Sequence, residues 1–70
     1  MSSSEIIFLV EESPEGGYEA KALGESIYTQ AESLEELRTM VQDAVRSHFD
    51  DHDRPAMIRL HPVYDEVLPV

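Results

Sequence analysis

The stretch Ile6-Ile7-Phe8-Leu9-Val10 constrains the fold of this chain more than any other segment. It is apolar throughout, rich in β-branched and aromatic residues, too short for a helix, and soon followed by turn formers, so it reads as a strand. Being apolar on both faces, it belongs in the middle of a sheet and not at its edge. The chain has 70 residues and no cysteine, enough for one core and with no disulfide to hold it. We therefore expect a disordered start over residues 1–4 and a single domain over residues 5–70.

Turn chemistry supplies the neighbours of that strand. Ser13-Pro14-Glu15-Gly16-Gly17 combines a fixed φ at proline with glycines that accept positive φ, which predicts a hairpin. The return strand is Tyr18 to Ala22, with Tyr18, Ala20 and Ala22 on one face and Glu19 and Lys21 on the other. Gly24 marks the next turn, and Ser26 to Gln30 form a third short strand, completing a β-meander. Tyr18 and Tyr28 are expected to pack as cross-strand neighbours.

A helix follows. Ser33-Leu34-Glu35-Glu36 is a capping box, Ser33 being the N-cap and Glu36 the residue that reaches back. Leu34, Leu37, Val41, Ala44, Val45 and His48 then recur at helical spacing as one stripe. Asp50, Asp51 and Asp53 oppose the negative end of a helix dipole, so the helix should stop near His48 or Phe49, before Pro55. Met57 to His61 read as a fourth strand, broken or bulged at Pro62, with Val63-Tyr64 as its extension. The expected architecture is α+β, in the order β-β-β-α-β, an antiparallel meander sheet with one helix on one face. One helix covers one sheet face. Either Ile6, Phe8 and Val10 or Ile7 and Leu9 must then face away from it, which predicts a homodimer or a partner-binding face.

Charge narrows the partners. Fifteen acids against five scattered bases give a formal charge of −10, which repels nucleic acid and anionic membrane and favours a basic protein partner. The first residues carry no basic n-region or small-residue cleavage site, and the longest apolar run is too short to span a bilayer. The absence of cysteine fits a reducing compartment, so a cytoplasmic location is expected.

Chemistry-bearing groupings are few. His48 and His52 would share a helix face if the helix continued, but Phe49 stands where the metalloprotease pattern needs glutamate. The nearby aspartates lack calcium-loop spacing and its glycine. A solvated acidic turn after a helix explains the same residues. His61 should lie beside Arg59 on one sheet face, near Tyr64 and Asp65, a grouping that acid–base work could use; a surface histidine on a strand is the ordinary alternative. The residues read as partner-binding are Ile7, Leu9, Tyr28, Arg59 and His61, with no catalytic, metal or cofactor site expected. A small metal-dependent or hydrolytic enzyme using His48, His52 and His61 is the competing reading.

Two further stretches carry a family resemblance. Phe8-Leu9-Val10-Glu11-Glu12 with Pro14-Glu15-Gly16-Gly17-Tyr18-Glu19-Ala20 resembles the opening hairpin of the HicB-like antitoxins. Leu23-Gly24 and Tyr28 through Leu37 resemble their third strand and helix start. The resemblance implies a β-β-β-α-β domain related to a degenerate ribonuclease H-like fold, without catalytic residues, that binds and blocks HicA, a small basic ribonuclease toxin. An attached DNA-binding segment represses the operon in that family. Nothing after Pro69 suits such a segment, and Ala31 stands where the family usually has glycine. The stretch Ile58 to Val67 is more similar to free-standing HicB-like proteins without assigned activity.

Overall fold

Alternation of apolar and polar residues sets the inward face of every strand. A computed structural model describes residues 5–63 and 66–70. The disordered start expected over residues 1–4, and the expectations for Tyr64 and Asp65, lie outside the described residues. The elements are β1 (Glu5–Glu12), β2 (Tyr18–Ala22), β3 (Tyr28–Ala31), α1 (Leu34–His48) and β4 (Met57–Pro62). They form a four-stranded sheet in the order β3-β2-β1-β4, so β1 is central, as its two apolar faces require.

The β1–β2 hairpin closes as its turn residues dictate. Ser13 N–H donates to the Gly17 carbonyl at 2.9 Å and Gly16 N–H to the Ser13 carbonyl at 3.0 Å, with φ of +99° at Gly16 and +83° at Gly17. β3 starts later than expected, at Tyr28 and not Ser26. The bend at Gly24 uses up the preceding residues, and Ile27 already turns inward, its carbonyl accepting from Ala22 N–H at 3.0 Å. Tyr18 and Tyr28 do not pair. Tyr18 sits opposite Ala31 and Tyr28 opposite Lys21, and Tyr18 leans on the core while Tyr28 points to the other face.

Ser33 caps the helix: its Oγ accepts from Glu36 N–H at 3.1 Å, satisfying a donor that the first turn leaves open, while Glu36 Oε1 reaches back one residue beyond the N-cap to accept from Glu32 N–H at 3.1 Å. The helix ends at His48, with Phe49 as C-cap. Its 15 residues rise about 22 Å, close to the length of β1. The chain leaves β3 at the Glu12 end of the sheet and returns at the Glu5 end. Consequently β4 runs parallel to β1, with Glu5 opposite Met57 and Val10 opposite Pro62, and the sheet is mixed. A crossover helix imposes this direction, whereas hairpins could only give antiparallel pairs. Pro62 neither breaks nor bulges the strand. Val63 N–H donates to the Val10 carbonyl at 2.7 Å, so alternation turns the Pro62 nitrogen to the open edge, where no ladder donor is needed.

The core lies between helix and sheet. Ile6, Phe8, Val10, Ala20, Ala22, Ile27, Ala31, Leu37, Val41 and Val45 are buried, with Tyr18, Ala44, Phe49, Ile58 and Leu60 packed around them. Of the expected stripe, Leu34 and His48 stay exposed, because they fall at the two ends of the helix. Thr29 Oγ1 is buried without a hydrogen-bond partner, and an unpaired buried hydroxyl costs about 1–3 kcal/mol. Thr29→Val keeps the shape and the β-branch, so it should stabilise the domain by about 1 kcal/mol. A thermal melt should rise by about 4–8 °C as a result.

Candidate functional site: the open face of the sheet

Once Ile6, Phe8 and Val10 point to the helix, the strand period sends every alternate residue to the opposite face. The register then gathers residues distant in sequence. Ile7 lies opposite Arg59 and Leu9 lies between Lys21 and His61, with Tyr28 beyond Lys21. All five residues read from the sequence as partner-binding (Ile7, Leu9, Tyr28, Arg59 and His61) therefore share this face. Ile7 and Leu9 are half-buried, while Tyr28, Arg59 and His61 are exposed. Among the described residues no helix covers them. The face is nevertheless not a broad apolar patch, since charged side chains flank the two aliphatic ones.

Two polar contacts organise the surface. Arg59 grips Glu5 with two parallel bonds, Nε to Oε1 at 2.9 Å and Nη2 to Oε2 at 3.0 Å, the planar fork matching the carboxylate. The Arg59 hydrogen bond holds the Glu5 carboxyl below its ordinary value, and Glu5 in turn raises Arg59. Tyr28 donates to Glu19 Oε2 at 3.1 Å. Desolvation, and then this bond, push the phenol above its ordinary value. Beside them Leu9, Glu11, Glu19, Lys21 and Tyr28 surround a depression of about 180 Å³. Leu9 and the Tyr28 ring supply its apolar surface, Glu11 and Glu19 two carboxylates, and Lys21 stands beside them.

The Glu5–Arg59 pair makes a pH prediction. Because the folded Glu5 value is depressed, its contribution to stability is present above the ordinary value of 4.5. It is lost as pH falls through the folded value. Both partners are solvated, so the effect is small. Glu5→Gln should lower denaturation midpoints slightly at neutral pH and not at all in strong acid, which urea titrations across pH would read.

The histidines do not converge. His48 Nε2 lies 3.1 Å from Glu25 Oε1, and its ring meets Phe49 edge-on at 4.9 Å. The helix stops at His48, so His52 falls in the following turn and shares no helix face with it. His61 is on the open face. Among the described residues, no three histidine, aspartate or glutamate side chains stand together as a metal site would need. Glu11, Glu19 and Lys21 were not singled out by sequence. Alternation placed Glu19 and Lys21 outward, but only the strand register brings Glu11 and Tyr28 to the same depression.

No helix among the described residues is long and apolar enough to cross a membrane. No family model and no solved structure matches the chain. Two curated relatives do. A UPF0150 protein of Archaeoglobus fulgidus is 60% identical over 52 residues, covering 74% of this chain and 77% of the relative. A UPF0150 protein of Thermotoga maritima is 46% identical over 50 residues, 71% of each. At that identity and coverage, the chain belongs to the UPF0150 family.

Proposed function

We propose that the protein is a HicB-like module that acts by binding another protein rather than by chemistry of its own. Its partner is a small basic protein of the HicA ribonuclease-toxin class. The observation that carries this reading is the depression on the open face, where Glu11 and Glu19 stand around Leu9 and Tyr28, with one cation, Lys21, against the two carboxylates. A lysine or arginine entering it would bury its stem on Leu9 and place its charge between carboxylates. The formal charge of −10 supports the same partner by steering a basic protein toward the face. Nucleic acid and anionic membrane are disfavoured by that charge, and a reducing, cytoplasmic setting suits a chain without cysteine.

Titration calorimetry of the full chain against a HicA-type toxin from the same organism tests the reading, with RNA cleavage as the second readout. The expected result is a one-to-one complex that silences cleavage and weakens as salt rises. Glu11→Lys with Glu19→Lys should weaken it at least about tenfold, or roughly 1.4 kcal/mol. Absence of a complex, or a complex indifferent to this double substitution, would refute the proposal.

A further inference from the structure

The helix packs chiefly over β3 and β2 and leaves a groove on its other side, against β4. Val41, Val45, Ile58 and Leu60 form its apolar floor, and the groove has a volume of about 370 Å³. Its rim is basic in an otherwise acidic molecule: Arg38, Arg46 and Arg54 stand there, three of the chain's five basic residues. Arg46 is held by Asp43 at 3.2 Å and Arg54 by Asp51 at 2.8 Å. Arg38 has no ion-pair partner among the described residues. Among the described residues the outer edge of β4 is also unpaired, and such an edge can take up another extended segment.

The same chain carries a segment with complementary chemistry. Glu66-Val67-Leu68-Pro69-Val70 puts an acid before three exposed apolar residues: Val67 is 90% and Leu68 71% exposed, and Val70 is fully so. These side chains stand in solvent on an elongated molecule. The radius of gyration is 13.6 Å and the long dimension 51 Å, where a compact chain of this length has a radius of about 11 Å.

We propose that residues 66–70 of a second copy of this chain occupy the groove between α1 and β4, in a two-fold exchange of tails. Val67 and Leu68 cover the apolar floor, and Glu66 meets Arg38. The chain's own tail is a poor occupant. β4 delivers it, through the Val63–Val10 bond, in the direction away from Arg46, Arg54 and Pro55. A two-fold exchange fills both grooves at once and leaves no growing end. It also leaves the open face free for the partner proposed above, so either idea can fail without the other.

Sedimentation equilibrium of the full chain is the test. A dimer of twice the 7.9 kDa chain mass is expected. Leu68→Glu and Arg38→Glu should each raise its dissociation constant at least about tenfold, while Glu66→Arg added to Arg38→Glu should restore much of the loss. Leu9→Glu, on the open face, should leave the dimer intact. Because the chain has no cysteine, a second measurement is clean: Leu68→Cys mixed with Gln42→Cys should form a disulfide between the two variants on mild oxidation. A monomer at every concentration, a dimer insensitive to Leu68→Glu and Arg38→Glu, or no mixed disulfide would overturn the exchange.

Discussion

Phe8→Ala should remove a large part of the domain's stability. Phe8 is wholly buried at the centre of the one core, facing α1 from the middle strand, with Ala22 opposite it on one side and Leu60 on the other. Both flanking residues are smaller than phenylalanine, and backbone ladders on both sides hold β1 in place, so the hole cannot close. Removing such a ring costs about 3–5 kcal/mol. A domain of 70 residues is stable by only about 4–10 kcal/mol, so the loss takes much or all of that margin. Urea unfolding followed by circular dichroism would read it directly. Leu9→Ala provides the contrast. Leu9 is one position along the same strand but half-buried on the open face, and its truncation should cost well under half as much. Equal losses at the two positions would mean that the open face is covered in solution.

Gly17→Ala should be the most damaging exchange outside the core. Gly17 has φ +83°, and an added Cβ would stand 2.5 Å from the Ala31 carbonyl oxygen and 3.3 Å from Glu32 Cα. Two costs therefore add. A residue other than glycine is strained at that φ, and the clash is with backbone, which cannot swing aside as a side chain would. Relief requires moving β3 off β2 just where the chain enters the capping box at Ser33. A loss of at least about 2 kcal/mol is expected, with weakened protection of the β2–β3 amides in hydrogen exchange. Gly16→Ala isolates the first cost. Its φ is +99° but nothing lies within 4 Å of the added methyl, so it should be distinctly milder.

The contrast between those two glycines shows where local reading stops. Gly16-Gly17 announced a turn because glycine accepts positive φ, and that property belongs to the residue itself. That Gly17 alone lies against β3 depends on a strand beginning eleven positions later, at Tyr28. The open face behaves in the same way. Alternation put Ile7 with Leu9 and Arg59 with His61, but the site exists only because the ladders lay Leu9 between Lys21 and His61 and bring Tyr28 and Glu11 alongside. The groove against β4 had no sequence signal, since it arises from how far the helix sits toward β3.

What the sequence determined by itself was therefore local. The central strand, the hairpin, the helix with its cap and stop, and the face each residue takes follow from φ preferences, periods and capping, all set within a few residues. The tertiary structure decided the rest. It made β4 parallel, kept Pro62 within the strand, separated Tyr18 from Tyr28 and His48 from His52, and drew Glu5 to Arg59 across 54 positions. Those outcomes depend on where a 15-residue crossover helix delivers the chain. Only packing against the whole sheet fixes that, and no short window of residues contains it.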